Sequence, residues 1–129
     1  MMTQPWHVII ERYDRYEAEP KRRAILALAN LARRISESPL AQGLFPSPHM
    51  FDLDILQREV DYPYHGPSLR LSAISDDQIE FRYVDTYEKK KQWHRTVDAD
   101  QAWSRLIKFL DQLRWFPADP LESLDKQTR

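Results

Sequence analysis

The sequence predicts an α+β fold. In this two-layer domain, N-terminal helices and a C-terminal helix pack on one face of a three-stranded antiparallel sheet. Three observations predict it. Apolar residues recur at three- and four-residue spacing in 25–35 and again in 103–113, the period of an amphipathic helix. Residues 69–97 alternate apolar and polar side chains, the period of a strand with one buried face. A helix stripe and a one-faced sheet each need a partner surface, and packing one on the other satisfies both.

The chain has 129 residues, the size of one domain. Leu, Ile, Val and Phe number 31 and the net charge is −1, so the apolar content is high enough and the charge low enough for a folded core. The expected domain covers 1–117, followed by a flexible polar tail over 118–129.

Taken in order, Trp6, Ile9, Ile10, Tyr13 and Tyr16 lie on one helical face, with Thr3 placed to cap and Pro5 tolerated in the first turn. A strand built on Trp6, Val8 and Ile10 is the alternative. A second helix is expected from Pro20 to Glu37, its stripe formed by Ile25, Leu28, Ala29, Ala32 and Ile35 and widened by Leu26 and Leu31. Lys21, Arg22 and Arg23 in its first turn oppose the helix dipole, and Glu17 and Glu19 are expected to offset them.

Residues 38–68 carry Pro39, Pro46, Pro48, Pro63 and Pro67 and form the least regular stretch. Ser47-Pro48 looks like a helix start that Phe51, Ile55 and Leu56 continue, and a short helix is favoured there over the strand suggested by Phe51, Leu53 and Ile55. Residues 62–67 form a rigid aromatic turn. Three strands follow, around Leu69–Ala73, Ile79–Tyr83 and Trp93–Val97, joined by turns at Ser75–Gln78 and Glu88–Lys91. Asp98 and Gln101 suggest a capping box for the last helix, whose stripe is Trp103, Leu106, Ile107, Leu110 and Leu113. Pro117 and Pro120 stop it.

Composition removes several chemistries. Without cysteine there is no disulfide, thiolate zinc site, iron–sulfur cluster or cysteine nucleophile. Gly43 and Gly66 are the only glycines, too few and too far apart for a phosphate loop or dinucleotide fingerprint. The longest uncharged stretch, Ser38–Phe51, contains three prolines, so no membrane span is expected. The N-terminus lacks the basic region of a signal peptide. The expectation is a soluble, cytoplasmic domain of bacterial type. Basic and acidic groups number seven and five in 1–38, one and four in 39–68, six and five in 69–97, and five and six in 98–129. No segment has the basic surplus of a duplex binder.

His7, His49, His65 and His94 are too widely spaced to form a metal pair, and His49 with Asp52 and Asp54 lacks the further ligands a hard cation needs. No serine sits in a nucleophile elbow. The neighbouring carboxylates Asp52 and Asp54, and Asp76 and Asp77, have no flanking apolar run to split their acidities. The sequence therefore nominates no catalytic, cofactor-binding or metal-ligating residue.

Two surface constellations remain. Tyr62, Tyr64, Arg114, Trp115 and Phe116 sit beside prolines at element ends, where aromatics are hard to bury. Tyr, Trp and Arg are the usual anchors of protein interfaces. Arg82, Tyr87, Lys89, Lys90, Lys91, Trp93 and Arg95 mix cations with rings, as a single-strand binder does, although Glu80, Asp85 and Glu88 interleave. The expected function is a non-enzymatic protein-interaction module, similar in size and layout to small accessory, inhibitor and immunity-type proteins. That analogy stands at the level of fold. The alternatives are a single-stranded nucleic-acid binder using 82–95, and a small hydrolase or ligand-binding domain with His65 or His94 beside a carboxylate.

Overall fold

The computed structural model describes residues 2–15, 22–49, 51–60, 66–117, 121, 123 and 124. Helices α1 (Trp6–Asp14) and α2 (Arg22–Ser36) lead through a 3-10 turn at Pro39–Gln42 into five strands. These are β1 (Phe45–His49), β2 (Asp52–Leu56), β3 (Pro67–Ala73), β4 (Gln78–Asp85) and β5 (Trp93–Asp98). A 3-10 turn at Ala99–Gln101 then opens α3 (Ala102–Gln112). The sheet is an antiparallel meander in the order β1-β2-β3-β4-β5.

The α+β class is as expected, but the sheet has five strands where three were expected. The short helix favoured over Ser47–Leu56 is instead the β1–β2 hairpin, with Phe45 opposite Leu56 and His49 opposite Asp52. Pro46 and Pro48 each lack a ladder donor. In an edge strand that loss is harmless if the vacant position faces outward. It does: the Pro46 carbonyl accepts from the Gln4 N–H at 2.9 Å, on the side away from β2.

One face of the sheet is apolar. Leu53 and Ile55 of β2, Leu69 and Leu71 of β3, Ile79 and Phe81 of β4, and Val97 of β5 are buried with the stripes of α2 and α3 in one core. The Phe109 ring of α3 sits 5.0 Å from Phe81 and 4.9 Å from Trp93, which fixes the helix against β4 and β5. Two residues in the segment expected to be a flexible tail, Leu121 and Leu124, also lie in this core. The Trp103 Nε1 donates to the Leu124 carbonyl at 3.4 Å.

The opposite face is polar except at Leu56, which is buried at the end of β2. Asp54, only 2% exposed there, takes the Arg70 guanidinium across the β2–β3 pair in a two-point contact, Nε to Oδ1 at 2.7 Å and Nη2 to Oδ2 at 3.3 Å. That contact is the strongest type of side-chain hydrogen bond, and it neutralises a charge that could not otherwise be buried.

Two of the expected caps are replaced. Thr3 does not cap α1; its hydroxyl accepts from the Val60 N–H at 3.0 Å and ties the N-terminal segment to the end of the β2 hairpin. Asp98 makes no capping bond to the last helix, and a 3-10 turn precedes α3 in its place. The cationic first turn of α2 is also resolved. Glu17 and Glu19 lie outside the described residues, but Asp76, in the β3–β4 turn, accepts from the Arg23 backbone N–H at 3.3 Å and from its Nε at 3.1 Å. The Asp76 carbonyl takes the Ala24 N–H at 2.7 Å. The helix N-terminus thus receives its carboxylate from a turn 53 residues away.

At the far end of β4, Asp85 closes the next turn. Its Oδ1 accepts from the Tyr87 and Glu88 N–H groups at 2.9 and 3.0 Å, and its Oδ2 from the Tyr83 hydroxyl at 3.2 Å. Hydrogen bonding holds both carboxyls below the ordinary 3.8, chiefly from the Arg23 N–H for Asp76 and the Glu88 N–H for Asp85.

Asp54→Asn removes the charge that balances Arg70. It is expected to lower unfolding stability by about 2–3 kcal/mol in urea titration, less than for a fully buried pair because Arg70 keeps some water. A carboxylate whose folded pKa is depressed stabilises the fold above its unfolded pKa, and that contribution disappears as pH falls through the folded value. The urea midpoint should therefore drop on acidification below 3.8, and Asp76→Asn and Asp85→Asn should each drop less than the wild type over the same interval.

Candidate functional site

A groove of about 600 Å³ lies between α2 and the β5–α3 junction. Ala27 and Leu31 of α2 and Ala102 and Trp103 of α3 supply apolar walls. Leu26 stands at its side and is 47% exposed. The sequence placed Leu26 in a widened stripe. In the structure it lies outside the buried set of α2, which comprises Ala24, Ile25, Leu28, Ala29, Leu31, Ala32 and Ile35. An apolar residue beyond the arc that the core uses was the available signal for this groove.

Charges of both signs line the groove. Arg23 pairs with Asp76 at 3.1 Å and reaches Asp77 at 3.9 Å. The Arg34 guanidinium lies 4.5 Å over the Trp103 ring. Among the described residues, Asp98 and Asp100 on the opposite wall make no ion pair. The electrostatic capacity left over is therefore negative.

A smaller cavity of about 300 Å³ lies between α1 and the β1–β2 turn, lined by Ile9, Tyr13, Pro48 and Phe51 with Arg12 and Asp52. The Tyr13 hydroxyl donates to the Phe51 carbonyl at 3.2 Å. Burial, and then the Asp52 carboxylate, push this phenol well above its ordinary range, so it remains a donor.

The residues expected to form an interaction surface are distributed as follows. Tyr62 and Tyr64 lie outside the described residues. Trp115 and Phe116 are half-buried against the core, and an added Cβ at Gly43 would come 2.9 Å from the Phe116 Cε1, so the ring packs directly on that glycine. Arg114 is exposed and ends α3 in the left-handed region, with φ at 62°. Its N–H donates to the Asp111 carbonyl and the Trp115 N–H to the Leu110 carbonyl, both at 3.1 Å. These are the two bonds of a Schellman closure, with arginine in the position glycine usually fills.

The basic hairpin residues divide between two faces. Arg82 lies on the polar face, bonded to Glu80 at 2.9 Å. Trp93 faces the helices, packed on Phe109 and 5.9 Å from Tyr83, and Arg95 lies over it at 5.4 Å. Tyr87, 70% exposed, and Lys89, Lys90 and Lys91 occupy the tip, where Lys91 is bonded to Glu88 at 3.0 Å. The hairpin does not form a continuous stacking surface.

Of the histidines, His65 lies outside the described residues and His94 stands 3.9 Å from Glu80 on open sheet, 74% exposed. Asp54, the carboxylate once grouped with His49, is engaged by Arg70. Among the described residues no three His, Asp or Glu side chains converge as metal ligands, and no helix is long and apolar enough to cross a membrane. The chain matches no family profile, no curated protein and no solved structure.

Arg114→Gly should raise unfolding stability by about 0.5–1 kcal/mol and Tm by about 2–4 °C, because glycine occupies the left-handed conformation without steric cost. Calorimetry on the two chains checks this. A lower Tm would show that the arginine side chain makes a stabilising contact.

Proposed function

We propose that the chain is a non-enzymatic protein-interaction module of the accessory or inhibitor type, and that the groove between α2 and the β5–α3 junction is its docking surface. The observation that carries this is Leu26. A single exposed leucine needs no explanation, but one that continues the apolar wall of a concave groove offers an anchor pocket to a partner side chain.

The rim indicates the partner's chemistry. Arg23 is paired with Asp76, Arg34 keeps its charge over the Trp103 ring, and Asp98 and Asp100 are not paired among the described residues, so the carboxylates outnumber the one unpaired cation. The segment that fits carries an apolar anchor flanked by lysine or arginine. Apolar burial then supplies affinity, and the carboxylates supply orientation and on-rate. Arg114 supports the same functional class at the other end of α3. An exposed side chain kept where glycine would cost less is consistent with selection for contact rather than for stability.

The test is capture from the native host on the tagged full chain, compared with Leu26→Asp and with Asp98→Lys/Asp100→Lys. Both sets lie on exposed positions and should leave the unfolding midpoint within about 0.5 kcal/mol of wild type. A specific partner should be retained by the wild type, and its affinity should fall at least about tenfold in either variant. Equal retention by all three chains, or no retained partner at all, would overturn the assignment.

A further inference from the structure

The two edges of the sheet are finished differently. The β1 edge is closed three ways: Pro46 and Pro48 remove donors, Gln4 bonds the Pro46 carbonyl at 2.9 Å, and the Trp6 indole donates to the Leu44 carbonyl at 3.0 Å. These are the usual means of stopping strand addition. The β5 edge has no proline and no covering segment among the described residues.

The ladder geometry shows which β5 groups face outward. Opposed residues in an antiparallel pair alternate between bonded and non-bonded. The Ala99 N–H donates to the Asp77 carbonyl at 2.8 Å, in register with the Gln78–Asp98 pair. Val97, Arg95 and Trp93 therefore bond to β4, while the N–H and C=O groups of His94, Thr96 and Asp98 point away from it. Among the described residues one side chain reaches this row: the Arg95 Nη1 donates to the His94 carbonyl at 2.8 Å.

The surroundings of the N-terminal half of this edge are cationic, while Asp98 closes its far end. Arg95 and Arg105 lie on the helix side, over Trp93 at 5.4 Å and Phe109 at 5.1 Å. Lys89 and Lys90 precede the strand and have no acidic partner among the described residues. We propose that the free edge of β5 receives an acidic extended segment of a partner protein as a sixth strand. Main-chain bonds to His94 and Thr96 hold the segment, and its carboxylates face Arg95 and the lysines. In the free chain Arg95 guards the edge by occupying the His94 carbonyl; on binding, the guanidinium exchanges that carbonyl for a carboxylate. Nucleic acid is disfavoured because Trp93 is packed between Phe109 and Tyr83, and because alternating donors and acceptors match a peptide backbone rather than phosphates.

The experiment uses the full chain, ¹⁵N-labelled, at low and moderate salt. The probes are a synthetic extended peptide of alternating threonine and glutamate, its lysine counterpart, the glutamate peptide N-methylated at every second amide, and oligothymidylate. The acidic peptide should slow exchange of the His94 and Thr96 amides by at least about tenfold at saturation, and the lysine and N-methylated peptides should not. Thr96→Pro removes one outward donor without touching the ladder to β4 and should abolish the protection. Arg95→Ala frees the His94 carbonyl yet should weaken the acidic peptide about three- to fivefold.

Four results would each overturn the proposal: equal binding of the lysine peptide, undiminished binding of the N-methylated peptide, tighter acidic-peptide binding by Arg95→Ala, or the same shifts from oligothymidylate at lower concentration. If Thr96→Pro fails to fold, the N-methylated peptide and Arg95→Ala still decide. Neither variant alters the groove between α2 and α3, so the two surfaces are tested separately.

Discussion

An antiparallel meander has one face to cover and two edges to finish, and most of this molecule follows from how it does both. Leu53, Ile55, Leu69, Leu71, Ile79, Phe81 and Val97 put the apolar rows that meet the helices on one side of the sheet. That single-sided burial recruits α2 and α3 and brings Phe109 between Phe81 and Trp93. It also leaves the other side to Arg70, Glu80, Arg82 and His94, which need water or one another. A slip of one residue in any strand would exchange these two sets, so the register is determined by burial.

Charge is handled at long range in sequence and short range in space. Arg22 and Arg23 conflict with the dipole of their own helix, and Asp76 and Asp77 look like ordinary turn residues. The fold brings them together, so that the turn caps the helix and joins the sheet layer to the helix layer. Asp54 and Arg70 do the same between neighbouring strands, on a face where an unpaired carboxylate could not stay buried. A local preference that the sequence violates thus marks a tertiary contact.

Where local period and burial agree, the sequence was legible. The stripes of α2 and α3 and the alternation of β3, β4 and β5 are present as expected, because each element buries one face of its own periodic pattern. Of the β1–β2 hairpin, β2 was legible only as the alternative to a helix, and β1 was not, since prolines at 46 and 48 are a strand breaker everywhere except on an outward edge, and edge position is a property of the assembled sheet. Leu121 and Leu124 were hidden for a related reason: two leucines in a polar stretch carry no period, and only the proximity of Trp103 makes them core. The groove was half legible, as Leu26 exceeded the arc a core needs, but the opposing wall comes from Ala102 and Trp103 on another element.

A net charge of −1, and near balance in each segment, conceals a separation that appears only in the folded chain. Pairing removes charges selectively. Arg23, Arg70, Arg82 and Lys91 are matched within the molecule, and so are Asp54, Asp76, Glu80 and Glu88. Among the described residues the two surfaces differ: Asp98 and Asp100 outnumber Arg34, unpaired over Trp103, beside the groove, and Lys89, Lys90, Arg95 and Arg105 lie around the β5 edge. Linear counts cannot show this, because Asp98 and Arg95 are three residues apart and belong to opposite poles. The groove and the edge are therefore adjacent along the chain yet suited to partners of opposite charge. An acidic strand on β5 would be repelled at the Asp98 end, so its carboxylates must face the Lys89–Arg95 half. That polarity limits both the register and the composition of any segment that can add to this sheet.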